Sequence, residues 1–178
     1  MLNQKAMTTE EFITFANLPE NENRRLEFIN GEIVEMSPSR TRNSELGDVL
    51  VFVVRLFCRD HNIPCHTTSG DGAYNIIGNT IAPDFAYKPT EMSEEYPDPV
   101  PPLWAVEIIS PTDRAEDIRE KREIYRRAGI LLWEIYYKSR SVDVYAPTKP
   151  MKTYSIGDVL DGGDVLPGFT LAVNELFA

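Results

Sequence analysis

The stretch LWAVEII, residues 103–109, decides how this chain folds. A continuous apolar run of this length is typical of a central strand that is covered on both faces of its sheet. Glu107 interrupts the run, and an acid is seldom buried in a core strand unless a partner compensates its charge. The stretch therefore predicts both a central strand and a charged partner for Glu107.

The next segment supplies a cation. The apolar residues Ile118, Ile124 and Tyr125 share one face at ~100° per residue, which predicts an amphipathic helix over residues 114–128. Lys121 falls near the middle of that apolar face. An ammonium group is costly to bury without a carboxylate, so we expect Lys121 to meet an acid of the sheet.

A second acid, Asp84, lies in the run IAPDFAY, residues 81–87, which we interpret as one strand. Two acids and a lysine that point into one sheet–helix interface predict a metal site for phosphate chemistry. Three simpler interpretations stay open. Asp84 can be a strand-end acid that bonds to backbone amides, Lys121 can extend its head to water, and Glu107 with Lys121 can be a purely structural ion pair.

The remaining elements indicate an α+β or mixed α/β fold. Thr8 and Glu11 predict a capped helix, and Asn-Gly at residues 30–31 predicts a hairpin. The pattern also predicts a helix over 43–60, strands at 65–68, 73–77, 131–137 and 141–145, short edge strands over 151–172 and a helical turn at 173–177, with a surface loop at 88–102. We expect Thr112 or Asp113 to begin the helix at 114, and Gly129 to end it. The prediction is a mixed central sheet flanked by helices, with an N-terminal helix and β-hairpin.

Length and charge set further bounds. A chain of 178 residues predicts one domain, residues 1–178, and the net charge of −10 argues against broad attraction to nucleic acid. It does not exclude a nucleic-acid enzyme, because acids that hold a metal count as negative until the metal arrives. No signal core follows Met1, no apolar run approaches ~18 residues, and Cys58 and Cys65 suit a reducing compartment. We therefore expect a cytoplasmic protein without a membrane span.

The acids match a known frame. Proline-aspartate at 83–84, followed by a glutamate in the next core strand at 107–109, is the arrangement of the PD-(D/E)xK nucleases. In this chain the position of the frame's lysine holds Ile109, whose alkyl side chain cannot polarise water. Lys121, on the following helix, can supply the missing ammonium from the other side of the same site.

With this displaced lysine, the chain resembles the Uma2 family of restriction-endonuclease-like proteins, a branch of that superfamily. The resemblance covers nearly the whole chain and rests on LEFINGEIVEMSP at 26–38, PD at 83–84, VEIISP at 106–111, the segment 117–125, AG at 128–129 and PGF at 167–169. It implies a restriction-endonuclease-like core and an enzyme that hydrolyses phosphodiester bonds in DNA.

The chemistry implied for this site needs Mg²⁺, with Mn²⁺ as a substitute. Mg²⁺ prefers hard oxygen ligands, and Asp84, Glu107 and the backbone carbonyl of Ile108 would be enough to hold it. Lys121 would orient or deprotonate the attacking water, or neutralise charge on the phosphate. The resemblance also makes Glu27 an outer ligand or orienting acid, although its sequence position suits the surface of the hairpin equally.

One position departs from the family pattern. Asn43 stands about where many relatives carry a histidine, and an amide cannot shuttle a proton. This residue and the acidic surface motivate a second hypothesis, a weakly active or inactive binding or regulatory protein that keeps the fold. A third is a metal-dependent hydrolase of a small phosphorylated substrate.

Two expectations concern partners. Nucleases that cut both strands often work as symmetric pairs, so we expect a homodimer by that analogy. Four arginines near the hairpin ends are candidates for contacts with the DNA backbone: Arg24, Arg25, Arg40 and Arg42.

Overall fold

The structure, a computed structural model, describes residues 7–178. Met1 to Lys5, where the sequence predicts no signal segment, lie outside the described residues. The helices are α1 (Thr9–Ala16), α2 (Thr41–Asp60), α3 (Ala115–Arg127) and α4 (Val173–Leu176). The strands are β1 (Leu26–Ile29), β2 (Glu32–Glu35), β3 (His66–Ser69), β4 (Tyr74–Ile76), β5 (Asn79–Ile81), β6 (Phe85–Lys88), β7 (Trp104–Ile109), β8 (Leu131–Tyr136), β9 (Ser141–Tyr145), β10 (Lys152–Ser155), β11 (Val159–Asp161) and β12 (Thr170–Ala172).

A six-stranded mixed sheet forms the centre, in the order β10-β9-β8-β7-β6-β3. β7 and β8 run parallel, and the other neighbours are antiparallel. β7 lies inside this sheet, as the apolar run predicts. The prediction of edge strands in the tail holds for β10 alone, because β11 and β12 pair with each other in a separate two-stranded sheet.

The two faces of β7 have different neighbours. Trp104, Val106 and Ile108 pack in one apolar cluster with Leu50 and Val54 of α2. The alternate residues of the strand face the other side, where a second cluster includes the apolar face of α3 and part of a smaller sheet, in the order β2-β1-β5-β4. Because side chains alternate along a strand, the acid of β7 faces α3. The predicted mixed sheet with flanking helices is confirmed.

Local sequence explains most element boundaries. Thr8 and Glu11 form the predicted capping box of α1. Asn30 and Gly31 adopt φ angles of 50° and 91°, as a two-residue hairpin between β1 and β2 requires. Gly129, at φ 69°, follows the last turn of α3, which is the αL position that glycine favours.

The predicted start of α3 is wrong in detail. The N-cap is Arg114, whose side chain forms no capping bond within the described residues. Asp113 does not cap the helix; its Oδ2 accepts a hydrogen bond from the Ser110 amide at 2.7 Å.

The run at 81–87 is two strands rather than one. β5 ends at Ile81 in the four-stranded sheet, and β6 begins at Phe85 in the six-stranded sheet. Between them the Ala82 amide donates to the carboxylate of Glu27 at 3.0 Å, and Pro83 has no N–H to continue a ladder. The chain therefore crosses between sheets here, and Asp84 lies at the junction.

The segment at 88–102 is more firmly held than a surface loop. Lys88 is only 1% exposed, and its ammonium lies 2.5 Å from Asp98, which is also buried. The backbone of Asp98 exchanges hydrogen bonds with Ala73 and Asn75.

Every helix within residues 7–178 is too short or too polar to cross a bilayer.

Candidate active site

Four elements place the predicted site residues on the wall of one cleft of about 1190 Å³. Glu27 comes from β1, Asp84 from the junction between β5 and β6, Glu107 from β7 and Lys121 from α3. Ile108, the fifth predicted site residue, lines the same cleft. The structure thus brings together all five residues, which are widely separated in sequence.

Lys121 lies between two carboxylates. Its Nζ donates to Glu27 Oε1 at 2.9 Å and to Glu107 Oε2 at 3.5 Å, and its side chain is 12% exposed. The interpretation in which the head of Lys121 reaches out to water is therefore wrong. The ion pair of Glu107 with Lys121 exists, but Glu27 shares it.

Glu107 has a perturbed acidity. Burial is the main cause that raises its pKa to about 8; the Lys121 ammonium opposes this shift, and the charges of Asp84 and Glu27 add to it. The Tyr125 hydroxyl donates to Glu107 Oε1 at 2.6 Å. Glu107 is consequently fixed at both oxygens, by a phenol and by an ammonium.

Asp84 is fixed against the strand that carries Glu107. Its Oδ2 accepts a hydrogen bond from the Ile108 amide at 2.7 Å. Burial raises the pKa of Asp84, and that hydrogen bond and the Lys121 charge oppose the shift. The expected bond between Asp84 and a backbone amide exists, and it directs the carboxylate to the residue after Glu107.

Glu27 is a buried member of the cluster, 1% exposed, and not a residue of the hairpin surface. The reason is that β1 pairs with β2 on one side and with β5 on the other, so it is an interior strand. Its Oε1 accepts from Ala82 and Lys121, whereas its Oε2 is buried with no hydrogen-bond partner among residues 7–178. An unpartnered buried carboxylate oxygen is costly and suits a cation.

The donor set fits a hard divalent cation held by few protein ligands. Within the described part of the chain, no three His, Cys, Asp or Glu side chains form a group that could hold a metal ion. A divalent ion would therefore rely on two carboxylates and a backbone carbonyl, which suits Mg²⁺ because Mg²⁺ keeps several waters. Even when Glu107 carries a proton, the carboxylates of Glu27 and Asp84 against one ammonium leave negative charge in excess. The unpartnered oxygen of Glu27 is a further acceptor beside this set.

The pKa of Lys121 defines what its ammonium can do. Burial would lower this pKa, but the charges of Glu107 and Glu27 outweigh burial and hold it above its ordinary value. The group therefore keeps its proton at neutral pH in this arrangement. That favours charge neutralisation over proton abstraction.

Sequence reasoning missed a second ion pair beside the first. Arg122 donates to both oxygens of Glu134, at 2.8 and 2.7 Å, and Tyr136 donates to the same carboxylate. Glu134 of β8 is in register with Glu107 of β7. The alternating charges of the α3 sequence favour a solvated helix face for Arg122, and this interpretation is wrong because Arg122 pairs with the buried Glu134. The sequence does contain a signal for this pair. LLWEIY at 131–136 is an apolar run with a single glutamate, as is the run of β7.

The polar contact of Tyr125 was also missed by sequence reasoning. Its hydroxyl contacts Glu107, although its position on the apolar face of α3 predicts a core residue. The signal was its spacing of four residues from Lys121, since side chains at i and i+4 of a helix are neighbours.

The four candidate arginines are mostly neutralised. Arg24 pairs with Glu35, Arg25 with Asp71 and Arg42 with Glu45. Three of the four, Arg24, Arg25 and Arg40, line the cleft, and Arg42 does not. The cleft wall also includes Asn43, in the first turn of α2.

The central mixed sheet, its flanking helices and the acids that converge on one cleft define a nuclease-fold protein. A crystal structure described as "a putative nuclease belonging to DUF820 from Anabaena variabilis ATCC 29413" has the same fold, with a TM-score of 0.78 and 19% sequence identity over 96% of this chain and 97% of that one. No curated protein shows significant similarity. The family model of Uma2, described as "Putative restriction endonuclease", matches residues 10–174. The chain belongs to the Uma2 family, and the family predicted from the sequence is confirmed.

Proposed function

We propose that this protein is a metal-dependent endonuclease that hydrolyses phosphodiester bonds in DNA, with Mg²⁺ as the natural ion and Mn²⁺ as a substitute. The observation that carries the proposal is that Glu27 and Glu107 both contact Lys121 in one cleft, whose wall also includes Asp84. Membership of a family whose model is described as "Putative restriction endonuclease" supports hydrolysis of nucleic acid.

Asp84, Glu107 and the backbone carbonyl of Ile108 would hold the ion. When bound, a divalent cation neutralises phosphate charge and lowers the pKa of a water molecule. Asp84 has one oxygen fixed by the Ile108 amide, which orients the carboxylate before any ion arrives. Tyr125 orients Glu107 in the same way. This preorganisation limits the rearrangement that binding requires.

Lys121 serves as the cation next to the phosphate. Phosphodiester hydrolysis develops negative charge on the phosphoryl oxygens, and a positioned ammonium stabilises that charge. The raised pKa of Lys121 keeps it protonated for this role. Glu27 accepts one of its hydrogen bonds and so orients the ammonium.

Substitution of Asp84 by alanine tests the proposal. Purified wild-type protein is expected to nick or cut plasmid DNA with Mg²⁺ or Mn²⁺ and to stop when EDTA is added. Asp84→Ala is expected to abolish cleavage. Asp164→Ala is the matched control, because Asp164 is exposed and pairs with Lys149 outside the cleft. Cleavage by Asp84→Ala at the wild-type rate, from a nuclease-free preparation, overturns the assignment.

A second candidate function is a binding or regulatory protein with little or no catalysis. The position of Asn43 on the cleft wall favours it, because an amide cannot shuttle a proton where the family resemblance implies a histidine. This candidate predicts no heat of Mg²⁺ binding by calorimetry and nucleic-acid or protein binding that EDTA leaves unchanged. The cleft, of about 1190 Å³, has room for a segment of a polymeric substrate, and substrate profiling separates this class from a small phosphorylated substrate.

We also propose that the protein acts as a cytoplasmic homodimer of single-domain chains. The dimer rests on the analogy with nucleases that cut both strands, and the compartment rests on Cys58 and Cys65, which suit a reducing environment. Sedimentation equilibrium at micromolar concentration tests the dimer, and a single cooperative unfolding transition tests the single domain.

A further inference from the structure

Tyr96 is an aromatic residue of the cleft wall. It is 41% exposed, and it lines the same wall as Glu27 and Asp84. Its hydroxyl donates to the Leu26 carbonyl at 3.5 Å, next to Glu27 in β1. An exposed aromatic ring beside buried acids has no role in the core, and the chemistry described above does not use it.

The segment that carries Tyr96 is held from both sides by one buried carboxylate. Asp98 accepts from the Ser93 amide at 3.0 Å and from the Val100 amide at 2.9 Å, in addition to the Lys88 ammonium. Ser93 and Val100 flank Tyr96 in sequence. The ring is thus positioned before any ligand binds, which lowers the entropy cost of using it as a binding surface.

The charge of the cleft restricts how a nucleic acid can bind. Its lining contains twelve acidic and six basic side chains. Within residues 7–178, five of those six cations already form ion pairs, and Arg40 is the exception. Duplex DNA binds mainly through cations that neutralise its phosphates and release counterions. Few cations remain here for such contacts, so a different contact has to contribute binding energy.

We propose that Tyr96 stacks on an unpaired nucleobase next to the scissile phosphate, so that the preferred substrate is a single strand or an unpaired stretch. Bases within a duplex stack on each other and do not offer a face to a ring in a cleft wall. In a single strand every base does, and aromatic stacking replaces part of the electrostatic attraction. This inference rests on the proposed function and adds the class of substrate.

Fluorescence anisotropy with the full-length protein tests the inference. The probes are a labelled single-stranded oligonucleotide of mixed sequence and the same sequence as a duplex, with Ca²⁺ in place of Mg²⁺ to prevent turnover. We expect Tyr96→Ala to weaken single-strand binding by about 5- to 150-fold, the loss of one stacked base, and Tyr96→Phe to stay within about 3-fold of wild type. Tyr96→Leu keeps apolar bulk without a ring, and it should weaken binding as alanine does.

Phe52→Ala is the matched control. Phe52 is 66% exposed on α2 and lies outside this cleft, so its loss should leave binding unchanged. The slope of log K against log salt should be no steeper than about −2, because few phosphates are neutralised. Duplex binding as tight as single-strand binding overturns the inference, as does equal behaviour of Tyr96→Ala and Phe52→Ala.

The two proposals fail separately. Single-strand binding that depends on Tyr96, in a protein that cleaves nothing with Mg²⁺ or Mn²⁺, supports the stacking role and contradicts the nuclease assignment. Cleavage of intact duplex that depends on Asp84 but is unchanged in Tyr96→Ala contradicts the stacking role and leaves the nuclease assignment in place.

Discussion

Two buried lysines of this protein have opposite surroundings. Lys88 faces one acid, Asp98, whose two oxygens accept hydrogen bonds from the ammonium and from two backbone amides. Lys121 faces Glu27 and Glu107 with Asp84 nearby, and one oxygen of Glu27 has no partner in the described residues. The first group is balanced in charge and closed to solvent. The second is negative in excess and open to a cleft.

The difference separates a structural ion pair from a candidate centre. A buried pair that satisfies all its oxygens and its charge contributes order to the fold and has nothing left to bind. A cluster that retains negative charge and an orphaned oxygen is suited to a further cation. Burial of a lysine alone therefore does not identify a site; the balance of charge around it does.

Removing the structural lysine should have the largest effect on stability. Lys88→Met leaves Asp98 buried and unpaired, which we expect to lower the free energy of unfolding by about 3–5 kcal/mol. Urea denaturation measures the change. The double variant Lys88→Met with Asp98→Leu should recover part of the loss, because it removes the unpaired charge but also the acceptor of the Ser93 and Val100 amides. A single variant that costs less than about 1 kcal/mol contradicts the assignment of this pair as an anchor.

Removing the other lysine should affect rate more than stability. Lys121→Met deletes the cation at the phosphate, so we expect the cleavage rate to fall by about 10²- to 10³-fold. Its effect on the free energy of unfolding should be smaller than that of Lys88→Met, because Glu107, with a pKa raised to about 8, can carry a proton at pH 7. Single-turnover rates and urea denaturation on the same preparations separate the two effects. Equal losses of stability for Lys88→Met and Lys121→Met contradict the distinction between a structural lysine and a lysine of the candidate site.

Acid should weaken the structural pair. Burial would raise the pKa of Asp98, but the Lys88 ammonium and two backbone amides hold it below its ordinary value of 3.8. The native state therefore binds fewer protons than the unfolded state, so the stabilisation present above that value is lost as the pH falls through the pKa of the folded protein. Between about pH 5 and pH 3 the wild type should lose stability more steeply than the double variant. Parallel curves contradict this account.

The smallest expected effect concerns Asn43. Asn43→His introduces a group that can transfer protons at the cleft wall, and we expect it to raise the cleavage rate at pH 7 by about 10-fold, at the low end of general acid–base effects. Asn43→Ala controls for the loss of the amide. Initial rates at saturating Mg²⁺ measure the effect. An unchanged rate indicates that position 43 does not contact the reacting groups.

Much of the fold could be predicted because its signals are local. The Asn30-Gly31 turn, the Thr8 capping box and the apolar run of β7 each specify their own element. The break at Pro83 could not be predicted in the same way. Residues 81–87 look like one strand. The switch between sheets depends on the Glu27 carboxylate, which accepts a hydrogen bond from the Ala82 amide, 55 residues away in sequence.

The candidate site could be predicted in its charged members but not in its supporting contacts. Asp84, Glu107 and Lys121 are visible because a charge in an apolar pattern has to be compensated. Tyr125 and Glu134 are not, since a tyrosine on an apolar helix face and an acid in a second strand have several ordinary explanations. Which of these applies depends on the tertiary register of β7 against β8 and on how α3 packs over them.

The position of Lys121 on a helix, rather than on the strand of Glu107, has a consequence for how the protein loses activity. The ammonium reaches the acids only while α3 is docked, and the neighbouring Arg122 secures that docking through both oxygens of Glu134. A helix that detaches from an otherwise intact sheet removes the cation and leaves the carboxylates repelling one another. Substitutions that weaken the contact of α3 with β8 should therefore lower activity more than they lower the stability of the sheet.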